Sequence, residues 1–181
     1  MESVGGQLLI AGPGLIDPNF WRTVVLVVEH NEEGAFGVVL NRPSETLVGE
    51  AVPELAEIVD PDQPLFIGGP VQPSAVIVLG RFEDPGEAAL LAFDDVGVLR
   101  AGSPPEELSP ALRDARAFVG HAGWAAGQLD DEIESGDWIL EPARAQDAFC
   151  AEPEALWSRV LARKGGSYAL VARMPPDPSM N

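Results

Sequence analysis

Residues 23–43 hold the pattern that most constrains the fold of this chain. The run TVVLVVEH, residues 23–30, is apolar and β-branched almost throughout, which is typical of a strand buried on both faces. The short polar segment NEEG, residues 31–34, connects it to AFGVVLNRP, residues 35–43, which ends at a proline that cannot donate to a ladder. The two runs predict paired strands in the interior of a sheet.

Shorter patterns of the same kinds follow along the 181 residues. Apolar runs bounded by turn residues predict further strands over residues 7–11, 64–71, 74–82, 88–93, 96–102, 115–121, 137–142 and 167–174. The sequence GGPVQP predicts a tight turn between the second and third of these. Helical spacing predicts helices over residues 46–59, 103–115, 128–135, 143–150 and 152–165. This order is typical of an α+β fold with a mixed sheet, in a single domain over residues 1–174 with a frayed tail at 175–181.

The charge of the chain limits its partners. Eleven basic residues stand against 29 acidic ones, the net charge is −18, and Lys164 is the only lysine. Proteins bind nucleic-acid backbones and anionic lipids through lysine and arginine. The negative field of this chain repels both kinds of partner at long range. Direct DNA binding is therefore disfavoured, unless arginines gather on one face. Two groups could form such a face: Arg100, Arg113 and Arg116, or Arg159, Arg163 and Lys164.

The sequence indicates neither export nor membrane insertion. Its start, MESVGGQLLIAGPG, contains an acidic and no basic residue, unlike a secretory signal. No apolar run approaches the roughly 20 residues that span a bilayer. Cys150 is the single cysteine and has no internal disulfide partner, which fits a reducing compartment. We expect a cytoplasmic protein without a membrane segment.

The stretch HAGWAAGQLDDEIESGDWIL, residues 121–140, predicts the end of a strand, a glycine turn and a short helix. Gly127 lies in the turn, acidic residues at the helix start suit the positive end of the helix dipole, and Gly136 ends the helix. Trp124 and Trp138 flank the helix and are expected to clamp it onto the sheet. The glycine spacing is not that of a dinucleotide-binding loop and no P-loop sequence occurs, so no cofactor is expected.

Three separated motifs make the chain resemble the AlgH/YqgE family of bacterial proteins. They are GQLLIAGPGLIDPNFWRTVVLVVEHNEEGAFGVVLNRP, FIGGPV and FVGHAGWAAGQLDDEIESGDW, in that order. The resemblance implies an α+β domain whose bent mixed sheet forms a partly closed pseudo-barrel with flanking helices. It also implies a cytosolic protein of a kind often described as a transcriptional regulator, without a recognisable DNA-binding motif. Trp21 and His121 depart from the family pattern, which usually has a polar residue and a tyrosine there.

Six residues of these motifs are candidates for binding a ligand or partner: Asn41, Arg42, Trp124, Gln128, Glu132 and His30. Arg42 follows a strand, where its guanidinium could hold an internal carboxylate, with Glu132 the first choice, or an external one. His30 and His121 fall at strand ends and could meet Glu132 in an acid–base or metal cluster. Structural hydrogen bonding is the simpler role for each histidine, and no metal site is expected.

Catalytic signatures are otherwise lacking in the sequence. Cys150 has no CxxC partner and no adjacent basic group, so a buried thiol is favoured over a nucleophile, and no GxSxG sequence occurs. We interpret the chain as a non-catalytic binding or regulatory protein whose partner is an unknown protein or small molecule. The alternative is a small-molecule enzyme whose pocket would join Arg42, Gln128 and Glu132 with a histidine.

Overall fold

Apolar and β-branched runs form the strands of the computed structural model, which describes residues 2–100 and 112–176. In chain order the strands are β1 (Gln7–Ala11), β2 (Val24–Asn31), β3 (Gly34–Val39), β4 (Pro43–Leu47), β5 (Pro64–Ile67), β6 (Val71–Phe82), β7 (Leu90–Phe93), β8 (Val96–Val98), β9 (Leu112–Ala125) and β10 (Trp138–Pro142). The helices are α1 (Val48–Ala51), α2 (Gln128–Glu134), α3 (Ala145–Ala148), α4 (Leu156–Lys164) and α5 (Ser167–Val171). None of these helices is long and apolar enough to cross a membrane.

Strand β9 is the centre of the sheet. The strand order is β10-β1-β2-β3-β9-β6-β8-β7, with β4 beside β5 and β5 beside β9. The β5–β9 pair is parallel, whereas the pairs of β9 with β3 and β6 are antiparallel. The sheet is therefore mixed, and the predicted α+β fold is confirmed. No ladder between described residues joins β10 to β7, and the sheet is not closed into a barrel. It bends far enough to bring β7 against β2.

The predicted strand pair β2–β3 is confirmed, and its two faces enter different cores. Leu26 and Val38 lie opposite each other and face the larger core, which α4 covers. Val25 and Val39 face a second core on the other side of the sheet, which includes Leu129 of α2. Burial on both faces explains why the run is apolar throughout rather than alternating.

The connection between β5 and β6 is not the predicted tight turn, because β9 lies between these strands. Residue Val119 of β9 pairs with Ile67 of β5 on one side and with Val76 of β6 on the other. The connection therefore crosses the backbone of β9. Gly68 and Gly69 permit this approach, since a Cβ on either would overlap backbone atoms of β9.

The predicted closing strand over residues 167–174 is wrong, because α5 occupies this position. Gly165 and Gly166, with φ of 81° and 58°, end α4 and redirect the chain into a further helix. Three side chains at helical spacing then pack against the larger core: Tyr168, Val171 and Ala172. A segment of eight residues can fit both the two-residue period of a strand and the 3.6-residue period of a helix, and packing against the core decides between them.

Other predicted helices are shorter than expected. The helix over residues 46–59 is divided at Pro53, which leaves α1 and a single 3₁₀ turn, Pro53–Leu55. The helix over residues 143–150 is reduced to α3. Of the helix predicted over 103–115, the last four residues belong to β9 and the rest lies outside the described residues. The strands predicted over residues 88–93 and 96–102 are present as β7 and β8, which pair with each other and are shorter than predicted within the described residues.

The start of the predicted frayed tail is held by Arg22. Its Nη2 donates to the carbonyl oxygens of Met174 and Pro175, at 2.7 and 2.9 Å. The guanidinium also lies over the ring of Trp157, 4.3 Å from its centroid. The chain is therefore anchored as far as Pro175, and residues 177–181 lie outside the described part.

Candidate functional site

The helix predicted within residues 121–140 is confirmed as α2, but β9 does not end at residue 121 and continues through Gly123, expected in the turn, to Ala125. Gly127, with φ of 76°, precedes α2, and Gly136, with φ of 85°, follows it. The backbone N–H of Ala125 donates to the side-chain oxygen of Gln128 at 3.0 Å and closes the turn. The carbonyl of the Gln128 side chain is thus used within the turn.

Trp124 and Trp138 are core residues, as predicted. They are 7% and 3% exposed, and they contact Phe20 and each other with ring centroids between 5.6 and 6.4 Å apart. Two of the three contacts are edge-to-face, the arrangement that aromatic quadrupoles favour. The three rings pack in the same core as Leu129, and so hold α2 on the sheet.

Glu132 lies partly buried beside this aromatic cluster. Its Oε2 has no hydrogen-bond partner among the described residues, and the same holds for Nε1 of Trp138. Burial raises the pKa of the Glu132 carboxyl, a hydrogen bond with the Trp124 side chain opposes the rise, and the charge of Asp137 adds to it. The fold therefore favours the protonated form of Glu132.

His30 connects the N-terminal segment to α2. Its Nδ1 accepts the backbone N–H of Val4 at 3.0 Å, and its Nε2 lies 3.3 Å from Oδ2 of Asp130. Because Nδ1 is an acceptor, a neutral ring carries its proton on Nε2 and donates it to Asp130. The ring is buried and both nitrogens are used in structural contacts.

The predicted cluster of two histidines and Glu132 is not formed. The ring of His121 lies 4.9 Å from that of Phe36, and burial lowers the His121 pKa. The carboxylate that His30 meets is Asp130, not Glu132. Within residues 2–100 and 112–176, no three potential metal ligands come together.

Asn41 ties the end of β3 to the start of β2. Its Oδ1 accepts the backbone N–H of Val24, and its Nδ2 donates to the carbonyl oxygen of Arg22, each at 2.9 Å. Arg22 itself has a positive φ of 55°, which is uncommon for a residue with a side chain. The Asn41 amide therefore stabilises a tight corner of the backbone.

The predicted Arg42–Glu132 pair is wrong. Arg42 instead donates from Nη1 and Nη2 to the carbonyl oxygens of Asn19 and Trp21, at 2.8 and 3.0 Å. Since β3 runs antiparallel to β9, α2 begins beside the first residue of β3, and Arg42 lies beyond the other end of that strand. Burial lowers the pKa of Arg42, and the charge of Asp17 opposes this effect.

A cleft of about 200 Å³ opens beside Arg42. Its lining is mostly apolar and consists of Asn19, Val39, Arg42, Ile67, Gly69, Pro70 and Pro73. The cleft contains Arg42 but neither Gln128, Glu132 nor a histidine. The pocket that the enzyme alternative requires is therefore not assembled.

An exposed apolar area continues from this cleft across three strands. Directly paired residues share a face of a sheet, so Ile67, Val119 and Val76 lie side by side on β5, β9 and β6. Ile67 is 45% and Val76 41% exposed. With the two prolines of the cleft they form what we term the outer apolar surface: Ile67, Pro70, Pro73, Val76 and Val119. The segment that contains α1 packs against the neighbouring part of the same face.

Three of the basic residues that could form a nucleic-acid face are held in internal contacts. Arg113 pairs with Glu83 at 2.8 Å, and Arg163 pairs with Asp147 at 2.8 Å. Lys164 donates to the carbonyl oxygen of Leu140. The structure therefore uses these cations to join elements of the fold.

Cys150 is buried, as predicted, but it does have a basic neighbour. Nη1 of Arg159, in α4, lies 3.0 Å from Sγ of Cys150. Arg116 of β9 is also close enough to interact with the thiol through its charge, and it is 8% exposed. Neither arginine adjoins Cys150 in the sequence, so the residues around the cysteine did not reveal them.

Most of this chain matches one known protein family. The profile of the family described as AlgH-like matches residues 8–169. The chain belongs to the AlgH-like family. The resemblance read from the three motifs is thus confirmed.

Relatives and solved structures agree with this assignment over nearly the whole chain. A UPF0301 protein of Thermobifida fusca is 45% identical over 190 residues, covering 99% of this chain and 96% of the relative. The crystal structure of a Corynebacterium diphtheriae protein has a TM-score of 0.88 at 32% identity, with 96% and 94% of the two chains covered. The solution structure of the AlgH protein from Pseudomonas aeruginosa has a TM-score of 0.72 at 29% identity, with 98% of each chain covered.

Proposed function

We propose that this protein acts in the cytoplasm by binding another protein, without catalysis, and that any effect on transcription is indirect. The observation that carries the proposal is the outer apolar surface. Scattered single apolar residues are normal on a protein surface, whereas a contiguous apolar area beside a cleft is typical of an interaction site. Here the area spans three adjacent strands and includes Ile67 and Val76, both more than a third exposed.

The placement of the other candidate residues supports a non-catalytic role. Arg42 holds two carbonyls, His30 joins two segments, and Gln128 closes a turn. General acid–base catalysis requires such groups to converge within hydrogen-bond reach of one substrate atom. These groups are instead occupied in separate structural contacts.

The charge around the outer apolar surface indicates a basic partner. Residues 43–80, which supply most of this surface and the segment packed beside it, contain no lysine or arginine. The acidic residues of this stretch are all exposed: Glu45, Glu50, Glu54, Glu57, Asp60 and Asp62. A protein with an apolar centre and a rim of lysine or arginine is complementary to this arrangement. A second copy of the chain, with the same charge of −18, is not.

Variants of the outer apolar surface test the proposal. Proteins captured from the source bacterium by wild type and by Val76→Glu would be compared, and the affinity of the purified captured protein measured by calorimetry. We expect Val76→Glu to weaken binding by about tenfold or more, since a charge would enter a desolvated contact. Leu170→Glu is the matched control, because Leu170 is exposed and lies on α5, away from this surface. Equal weakening by both variants, or by neither, would contradict the proposal.

A DNA-binding assay tests separately whether any effect on transcription is indirect. Because the net charge is −18 and Arg113, Arg163 and Lys164 are internally paired, a mobility-shift titration at low salt should show no complex below micromolar protein. A tighter complex whose affinity falls steeply with salt would show that regulation is direct.

A further inference from the structure

Arg116 carries a buried charge that the fold leaves largely unused. It lies on β9 on the same face as Phe118, two residues further along, and its guanidinium lies 4.6 Å from the ring centroid of Phe66. The residue is 8% exposed. Its one hydrogen bond to a described residue is a long one, 3.4 Å from Nη1 to the carbonyl oxygen of Ala148.

The carboxylates near Arg116 belong to other arginines. Asp114, on the same strand, pairs with Arg81 at 3.7 Å, and Arg113 takes Glu83. Among the described residues, none places a carboxylate within 4.0 Å of Arg116. Arginine is rarely buried without a partner, and the contact with Phe66 offsets only part of the desolvation.

Arg116 lines a cavity of about 640 Å³. The apolar part of its lining includes Phe66, Phe149 and Pro153, and Cys150 shares the same space. The polar part consists of Asp60, Gln63, Arg113, Asp114 and Glu154 besides Arg116. Small-molecule sites in proteins usually measure about 300–1,000 Å³ and combine apolar walls with a few polar groups. The size of the cavity, the aromatic part of its lining and the sparsely bonded guanidinium fit that description.

We propose that this cavity binds a small organic acid, a molecule with one carboxylate and an apolar or aromatic body. The carboxylate accepts hydrogen bonds from the free N–H groups of Arg116, and the body packs between Phe66 and Phe149. A planar guanidinium suits a planar carboxylate, which it can hold through two parallel bonds. The site is separate from the outer apolar surface and does not depend on the function proposed there.

The rim of the cavity distinguishes a carboxylate from a phosphate. Asp60, Asp114 and Glu154 line the same cavity, and each repels an additional negative charge. A monoanion that buries its single charge against Arg116 is tolerated. A phosphate dianion would meet three carboxylates, whereas Arg113, the second arginine of the lining, is already paired with Glu83, so phosphate is disfavoured.

Phenylacetate, phenylacetamide and inorganic phosphate are suitable probes, titrated by calorimetry on the full chain. We expect phenylacetate to bind with a dissociation constant of about 1 mM or tighter, and the other two to bind at least about tenfold more weakly. The acid and its amide have the same body, so their comparison isolates the charge in the wild-type protein. Equal binding of the amide, tighter binding of phosphate, or no binding of phenylacetate at about 10 mM would each overturn the proposal.

Cys150 reports the location of the probe. It is the single cysteine and lines the same cavity, so phenylacetate at about ten times its dissociation constant should slow methylthiolation of this thiol by roughly tenfold. Arg116→Gln should remove both the binding and the protection. Arg173→Gln is the control, since Arg173 is exposed and is not among the residues that line the cavity. Binding that persists in Arg116→Gln, or that leaves Cys150 unprotected, places the acid elsewhere and contradicts the assignment.

Discussion

Arg42 and Arg116 occupy two regions that use a guanidinium in opposite ways. Arg42, at the corner between β3 and the loop before β2, donates to two backbone carbonyls at 2.8 and 3.0 Å. Arg116 is nearly buried, makes one hydrogen bond of 3.4 Å to a described residue, and lines a cavity. The arginine within a family motif is therefore used by the fold. The arginine outside the three motifs keeps its donors free for a ligand.

The same contrast holds for the surroundings of each arginine. At the corner, Asn41 and Arg42 satisfy four backbone groups between them and fix the path of the loop. At the cavity, Arg116 has no carboxylate of a described residue within 4.0 Å and makes one long hydrogen bond to a described residue. Polar groups that are satisfied internally stabilise a structure, whereas a buried polar group with few partners reduces its stability.

The aromatic cluster of the motif should give the largest effect on stability. Trp138→Ala removes a ring that is 3% exposed and packs against Phe20 and Trp124, so it should lower the free energy of unfolding by about 3–5 kcal/mol. Urea denaturation measures this loss. Trp21→Ala is the control, since that ring is 39% exposed, and it should cost less than about 1 kcal/mol. Similar losses for both would refute the core role of Trp138.

Replacing Arg42 should give the next largest loss. Arg42→Met removes hydrogen bonds to two carbonyls, and we expect the free energy of unfolding to fall by about 2 kcal/mol. Arg42→Lys should restore little of it, because an ammonium cannot reach both carbonyls with the geometry of a planar guanidinium. If Arg42→Met unfolded with the same free energy as wild type, Arg42 would not stabilise the fold, and the contrast with Arg116 would be wrong.

Glu132 should give a smaller and pH-dependent effect. Its pKa is raised in the folded state, so folding favours the protonated carboxyl. The wild type therefore loses stability as the pH rises from the ordinary carboxyl pKa through the raised one, and the loss is complete above both. Glu132→Gln cannot ionise, so it should melt at a higher temperature than wild type at pH 7, and the difference should shrink toward pH 4. A difference that does not vary with pH would contradict the raised pKa.

Local signals in the sequence predicted the parts of the fold that depend on residues close together in the sequence. The strand pair over residues 23–43 and helix α2 followed from apolar runs, glycines and charge placement. The insertion of β9 between β5 and β6 could not be predicted, because a turn sequence does not show which strand enters beside it. Helix α5 was missed because its periodicity is ambiguous over eight residues.

For the candidate site, the sequence identified single residues by their type and position but not the contacts between them. Trp124 was recognised as a core residue from its position beside a glycine turn, and the fold confirms its burial. To predict the partner of Arg42, one must know which end of β3 lies near α2. The pairing of β3 with β9 decides this, and the sequence does not show that pairing. Arg116 and Cys150 meet at one cavity across more than 30 residues, and no spacing in the sequence marks that contact.

Denaturation of Arg116→Met with and without phenylacetate tests the central claim most directly. Without the acid, replacing a poorly paired buried charge by an apolar side chain should leave the free energy of unfolding unchanged or raise it by about 1 kcal/mol. With the acid at about ten times its dissociation constant, wild type should gain roughly 1.4 kcal/mol and the variant nothing. A variant that is strongly destabilised without the acid would contradict the account, because Arg116 would then serve the fold. Equal gains for both proteins would contradict it as well, because the acid would then bind without Arg116.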